Sequence, residues 1–431
     1  MKQFIILTLA ALAGMTAQAQ DISTSAQEEI RNNKFLSASN HLDYDNYPAR
    51  KALTPTPKGY TPFYMSHYGR HGSRWLLSDG EYSGVINTLK KARKNGKLTA
   101  EGMAALEKLE AFYPCTIDRW GDLTTVGERQ HHGIGQRMAA HFPEIFKTKG
   151  VQIDARSTVV PRCILSMTAE CEELAAANPS ARIHNDVSNS LQYYLNQPWS
   201  GEVAAQGRTV WKTVDHYKNK YTHPERITSV LFNDPAYVKD SLNAASFMRH
   251  LFKVANNMQS HADGSDLYAL FTPEECYDQW RIENVSWYLQ YGASPATRSV
   301  MPFSQTNLLK NIIQTADTVH QTQATLRFGH EVCVMPLACL LELGHCGDKV
   351  DNLDELDRTW RNYNIFPMGC NVQLIFYRPK KNADGEILVK ALLNEREVTL
   401  PVPTDNYPYY SWKRLRQYYL DKIHTFENKK K

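Results

Sequence analysis

After its first twenty residues, the chain has no run of eighteen uninterrupted apolar residues, so the sequence offers no membrane-spanning helix there. An excess of one charge sign is also missing. Forty-nine Lys and Arg stand against 45 Asp and Glu, a formal +4, which is too mild to point to nucleic acid. The closing "NKKK" reads as a solvated tail. The eight cysteines (115, 163, 171, 276, 333, 339, 346 and 370) contain no C-x-x-C pair and no Cys/His zinc spacing. There is no G-x-S-x-G nucleophile elbow, and Gly96-Lys97 lacks the rest of a phosphate loop. His330-Glu331 does not continue into an H-E-x-x-H zinc site, because Val334 stands where the second histidine would be. No metal or other cofactor is therefore expected, and no internal repeat is visible.

What is present begins with "MKQFIILTLAALAGMTAQAQ". Lys2 is a positive n-region, Phe4 to Ala13 an apolar core too short to span a bilayer, and Ala17-Gln18-Ala19 a small-residue cleavage site. Residues 1–19 are expected to be a cleaved export signal, with Gln20 the first mature residue. No cysteine follows the cleavage site to carry a lipid anchor. The destination is then periplasmic or secreted, where disulfides are permitted but not required in a chain of this length.

Strand-like and helix-like stretches alternate over most of the remainder. Residues 20–58 are polar and rich in Pro and Asn, and "LTPTPKGYTP" reads as an irregular approach. "TPFYMSHY" reads as a first strand, residues 79–112 as helical, and "VQIDARST" as a second strand followed by a helix over 161–177. Thr125 with Glu128 three places on forms a capping box, so a helix is expected to begin at that threonine. Residues 191–295 change texture: they are dense in Tyr and Trp and show helical spacing at Leu242, Ala245, Met248, Leu251, Ala255 and Met258. Thr272-Pro273-Glu274-Glu275 supplies a further helix start. "TNLLKNIIQTADTVHQ" then reads as a helix, "ATLRFGHE" as a strand ending in a loop, and "VCVMPLACLLELG" as an apolar helix closed by Gly344. "CNVQLIFYRP", "EILVKALLNER" and "REVTLP" finish as strands, with Asp384-Gly385 as a hairpin turn. The expectation is an α/β fold: a mixed central sheet flanked by helices, formed by 20–190 and 296–431, with 191–295 as an α-helical cap.

Ligands of such sheets sit beyond the carboxyl ends of the strands. Three charged clusters fall there: Arg70-His71-Gly72-Ser73-Arg74, the stretch from Arg156 to Arg162, and His330-Glu331. Arginines converging on one crevice repel one another unless an anion lies between them, and guanidinium forks match phosphate oxygens. A neutral imidazole can attack phosphorus, and Gly72 would allow close approach of backbone and ring. R-H-G-x-R fixes four residues, so about 0.003 chance matches are expected over ~430 positions. His131-His132 and His67 read as packing residues. Lys212, Lys218, Lys220 and Arg226 are either pocket cations for a highly phosphorylated ring or surface charges.

Together these residues resemble the histidine acid phosphatase family, the secreted branch of the histidine phosphatase superfamily. "RHGSR" resembles its R-H-G-x-R signature, and "DLTTVGERQHHGIGQRM" resembles its L-T-x-x-G-x-x-Q helix. "RSTVVPRCILS" resembles the segment of its third arginine, and "FGHE" stands where the family has H-D or H-A-E. Within the family, the stretch from "TRSVMPFSQTNLL" to "FGHEVCVMPL" is most similar to the multiple inositol polyphosphate phosphatases, except that Val332 takes the place of their acid and Glu331 lies one residue earlier. The resemblance implies His71 as nucleophile and Glu331 as proton donor. It implies Arg70, Arg74, Arg162 and His330 as phosphate ligands, with Arg156 and Gly72 in support. It further implies a small phosphorylated substrate, inositol polyphosphates among the candidates, an optimum below neutral, and no nucleic-acid or membrane partner. A general acid phosphatase, a mutase-like relative and a non-catalytic phosphate binder are the alternatives. Nothing in the sequence sets an oligomeric state.

Overall fold

One mixed sheet organises the chain. The computed structural model describes residues 24–428 apart from 48–49, 263, 265, 320–321 and 382–384. The export signal and Asp384 of the expected turn therefore lie outside the described residues. The strands are β1 (Tyr60–Arg70), β2 (Gln152–Ser157), β3 (Arg182–Val187), β4 (Thr322–Gly329), β5 (Asn371–Pro379), β6 (Leu388–Leu393), β7 (Arg396–Val398) and β8 (Tyr410–Ser411). Their order is β3-β2-β4-β1-β5-β6-β7, with β8 pairing on β6. The β3-β2-β4-β1 half is parallel and the remainder antiparallel. β4 and β5 are buried along most of their length, as expected of strands covered on both faces.

The parallel half aligns three carboxyl ends. Arg70 of β1 pairs with Gly329 of β4, and Ser157 of β2 with Phe328. Each of these strands runs into a residue cluster singled out from the sequence. The helix after β2 spans Pro161–Ala177, as expected, with Pro161 in its first turn. The helix Thr125–His141 begins where the capping box placed it, but its cap is Thr124, whose hydroxyl accepts from the Gly127 amide. Asn243 likewise caps Ala244–Met258, so Leu242 stays outside that helix.

Between β3 and β4 the described elements are all helical. The helices of 225–291 share an apolar cluster with Asp79–Lys94, Ala100–Phe112 and the N-terminal stretch from Ala26: Leu231, Phe247, Leu251 and Trp280 meet Tyr82, Leu89, Leu106 and Ile30. That N-terminal stretch is more ordered than its composition suggests. Ser25 caps the helix Ala26–Asn32, and Ala26 and Ile30 bury one face of it. The edge strand β3, the short strand β8 and the closing helix Trp412–Asn428 also went unread in the sequence. All eight cysteines are free, and all but Cys115 are buried. Among the described residues, no helix is long and apolar enough to cross a membrane.

Candidate active site

The three carboxyl ends bring Arg70, His71, Arg74, Arg162, His330 and Glu331 into one pocket. β1 delivers Arg70, and the next peptide is tied on both sides: the His71 amide donates to Gly329 O (3.0 Å) and the Gly369 amide to His71 O (3.0 Å). Two helix N-termini converge on the same place, with Arg162 in the first turn of Pro161–Ala177 and Glu331 opening Glu331–Leu340. Helix N-termini favour negative charge.

His71 is completely buried. Its Nδ1 lies 2.8 Å from Gly72 O. A carbonyl only accepts, so Nδ1 carries the proton and Nε2 keeps its lone pair. Nε2 has no hydrogen-bond partner. Burial, with the charges of Arg70 and Arg162, pushes the His71 pKa well below its ordinary value against the opposing pull of Glu331. The ring is therefore neutral through the mildly acid range.

Each arginine has one edge tied to backbone and N–H groups left over. Arg70 Nη1 donates to Asn40 O (2.7 Å) and Phe366 O (3.0 Å), while its Nη2 is unpartnered. Arg74 Nη1 donates to Trp75 O (2.9 Å) and Arg162 Nη1 to Gly121 O (3.2 Å), and both Nε groups are unpartnered. Burial lowers Arg74 to about 10, which still leaves it charged. Buried unspent donors are costly unless a ligand takes them.

Glu331 supplies the facing negative charge. Its Oε2 is 3.1 Å from Arg70 Nε and 3.5 Å from His71 Nε2. Burial alone would raise its pKa, but Arg70 first, with Arg74, holds the carboxyl well below the usual range. His330 stands on the other side, its ring centroid 5.7 Å from that of His71, with Nε2 3.3 Å from Thr158 Oγ1. Burial lowers His330 to about 4. Cys163 lies 3.8 Å from the His330 ring nitrogens, but burial pushes its thiol up to about 12, so it is inert there.

His71, His330 and Glu331 are also of metal-ligating type, with ligand atoms within 4.8 Å of one another. Three guanidinium groups in the same pocket make it a place for an anion rather than a cation.

Two supporting residues behave differently from the sequence reading. Gly72 packs against backbone: a Cβ there would lie 2.6 Å from Gly127 Cα, and one on Gly127 would lie 2.7 Å from the Ser73 amide. The pair lets the signature turn sit directly on the first turn of Thr125–His141. The Gly72 amide donates to Ser166 Oγ (3.1 Å) and the Ser73 amide to Gln130 Oε1 (2.9 Å). Arg156 is bound to Asp154 and to Tyr194 (3.2 Å to its hydroxyl), with none of the pocket groups among its partners.

The sequence reading missed His41, buried directly after Asn40, whose carbonyl accepts from Arg70; burial first, then Arg74, Lys253 and Arg70, lower its pKa. It also missed the Trp287 and Tyr291 face of the helix Pro273–Tyr291. Trp287 stacks on Tyr291 (5.0 Å) and contacts Phe366 (4.7 Å), whose carbonyl holds Arg70. None of these residues belongs to a recognisable motif.

The family model "Histidine phosphatase superfamily (branch 2)" matches residues 69–394. A search of curated proteins finds no match. Among solved structures, the chain is similar to the multiple inositol polyphosphate phosphatase of Bifidobacterium longum in complex with inositol hexasulfate. That match has a TM-score of 0.68 and 18% identity, covering 89% of this chain and 97% of the other. It is also similar to the phytase from D. castellii (TM-score 0.71, 15% identity, 90% and 85% covered) and to the Hafnia alvei phytase (0.52, 12%, 86% and 99%). At these identities the structures speak for the fold, while the family model spans three quarters of the chain. With the R-H-G-x-R turn, a third arginine and the His-Glu pair in one pocket, the chain belongs to the histidine phosphatase superfamily, branch 2.

Proposed function

We propose that this phosphatase hydrolyses phosphate monoesters through a phosphohistidine on His71, with Glu331 moving the proton. The observation that carries the reading is the buried, neutral, unpartnered Nε2 of His71 among three arginines with unspent N–H groups. Phosphoryl transfer needs positioning and charge stabilisation more than covalent machinery, and the guanidiniums supply both. Nε2 attacks phosphorus as the P–O ester bond breaks, and the departing alkoxide takes a proton from Glu331. Water then attacks the phosphohistidine, gives its proton back to Glu331, and releases phosphate as the P–N bond breaks.

Glu331 takes the position beside Arg70 and His71 that a phosphoryl oxygen would take. A bound phosphoryl group would draw the arginines to itself and displace the carboxylate. The two effects together raise the Glu331 pKa, so that it carries a proton when one is needed. The rate is then highest below neutral.

Rapid acid-free quenching with ³²P-labelled substrate tests the reading. A base-stable, acid-labile phosphoenzyme that disappears in His71→Ala is expected; an unlabelled wild-type enzyme during turnover would overturn it. Residues 1–19 direct export in this reading, so the mature protein recovered from the periplasm or medium begins at Gln20, as N-terminal sequencing would show. The inositol polyphosphates suggested by the multiple inositol polyphosphate phosphatase and phytase likeness are one class of leaving group, and the residues beyond the phosphoryl pocket bear on that choice.

A further inference from the structure

Of the four cations that could have made a polyanion pocket in the helical insertion, three are spent, and only the exposed Lys212 has no ion pair among the described residues. Lys218 pairs with Asp215 (3.0 Å), Lys220 with Asp354 (2.7 Å) and Arg226 with both carboxylate oxygens of Glu275. Lys253, the lysine whose charge reaches His41, is paired with Glu81. The helix Pro273–Tyr291 adds a carboxylate at Glu283, four residues before Trp287, on the same half-exposed stripe. A ring bearing several phosphates would meet few free cations and one acid there.

The other wall is apolar and exposed where apolar residues are usually covered. Leu77 is 54% exposed, Leu165 53%, Val159 42% and Trp120 40%. Each lies near Arg162, Leu77 in space and the other three along the chain or beside a residue that holds it. Leu77 Cδ2 and Arg162 Nη1 lie 3.4 and 3.5 Å from the same point, the place of a Cβ on Gly121. Trp120 precedes that glycine, whose carbonyl holds Arg162. Val159 lies three residues before Arg162, and Leu165 one helical turn after it. Trp287 reaches the pocket from another element: it stacks on Tyr291 and contacts Phe366, whose carbonyl accepts from Arg70.

Resting on the phosphatase reading, we propose that this mouth selects soluble monoesters whose alcohol part is apolar, held between the Leu77/Trp120/Val159/Leu165 rim and the Trp287/Tyr291 shelf, rather than inositol polyphosphates. The phosphoryl group is fixed by the arginines, and the apolar part gains by leaving water along a surface continuous with them.

Binding of non-hydrolysable probes tests this without requiring turnover. Titration calorimetry on the full mature protein would compare naphthylmethylphosphonate, methylphosphonate and inositol hexasulfate. Naphthylmethylphosphonate is expected to bind at least tenfold tighter than methylphosphonate and tighter than the hexasulfate. The naphthyl advantage should fall severalfold in Leu77→Asn/Leu165→Asn, both exposed positions where folding tolerates a polar side chain. Equal binding of the two phosphonates, tighter binding of the hexasulfate, or an unchanged ratio in the double variant would overturn the proposal. The parallel assay of 1-naphthyl phosphate hydrolysis separates the two readings: probe binding as expected with no hydrolysis would overturn the phosphatase reading and leave the apolar mouth standing.

Discussion

At the scale of single residues, both ionisable partners are held deprotonated in the free enzyme, which suits His71 as nucleophile and leaves Glu331 to gain its proton when a phosphoryl group binds. His71 is kept neutral mainly by burial, and Glu331 is kept ionised by Arg70 and Arg74 against its own burial. For a proton donor, activity falls as pH rises through its pKa. The alkaline limb of kcat, which reports the substrate-bound enzyme, should therefore lie at higher pH than that of kcat/KM, which reports the free enzyme. Glu331→Gln is expected to lower kcat/KM, which reports the steps through phosphorylation, by about 10²- to 10⁴-fold on alkyl esters. It should cost much less on 4-nitrophenyl phosphate, whose leaving group needs no proton, and it should flatten the alkaline limb. Equal losses on both esters would show that Glu331 does not protonate the leaving group. The arginines differ in the same assay. Arg162→Ala removes a pocket guanidinium and should cost at least about tenfold in kcat/KM. Arg156→Ala removes a partner of Asp154 and Tyr194 and should cost less than about threefold.

At the scale of elements, the pocket depends on how closely the signature turn sits on the helix Thr125–His141. Gly127 touches Ser73 and Gly72 touches Gly127, backbone to backbone, so neither can yield by moving a side chain. Gly127→Ala is expected to destabilise the protein by about 1–3 kcal/mol and to lower kcat by displacing His71, both read from urea unfolding and steady-state kinetics on one preparation. Stability loss with unchanged kcat would show that the turn re-seats without moving the nucleophile. This contact was half legible in the sequence. The helix, its start and the R-H-G turn could all be read, because capping and strand patterns are local. That Gly72 serves the helix rather than the ligand could not, since the two glycines are 55 positions apart and meet only through the fold. β3 was missed because its sequence, Arg-Ile-His-Asn-Asp-Val, lies at an exposed edge with few apolar positions. The closing helix did carry a signal, with Trp412, Leu415, Tyr419, Ile423 and Phe426 on helical spacing and all buried. The pocket motifs were readable because phosphate chemistry fixes their residue types. The apolar rim was not, because Leu77, Trp120, Val159 and Leu165 look like ordinary core residues until the fold leaves them exposed.

At the scale of the whole molecule, the buried histidines set a cost for working in acid. Burial first, with nearby positive charge, lowers His67 to about 3 and His330 to about 4, and it pushes His41 and His71 well below 6.5. In the unfolded chain these four would take up protons near pH 6.5. The folded chain takes up fewer protons as the pH falls below that value, so acidification favours unfolding. Each such histidine lowers stability by about 1.4 kcal/mol per pH unit between its unfolded and folded values. Glu331 works in the same direction: its lowered pKa gives stability above the unfolded value that is lost as the pH drops through the folded one. Asp43 and Glu170, raised mainly by burial, oppose this over the range just above the ordinary carboxyl value. His141 and His261 are lowered too, and Asp278 and Glu283 raised, so six histidines and Glu331 stand against four carboxyls; the urea midpoint should fall steadily from pH 7 to pH 4.5, with net proton uptake on unfolding near pH 5.5. A bound phosphoryl anion should oppose the fall, because it is held by Arg70, Arg74 and Arg162 in the folded state only. Unfolding midpoints measured with 10 mM inorganic phosphate should therefore lie above those without it across this pH range. Coincident curves would mean that the anion does not bind the arginine pocket in the range where the enzyme is expected to work.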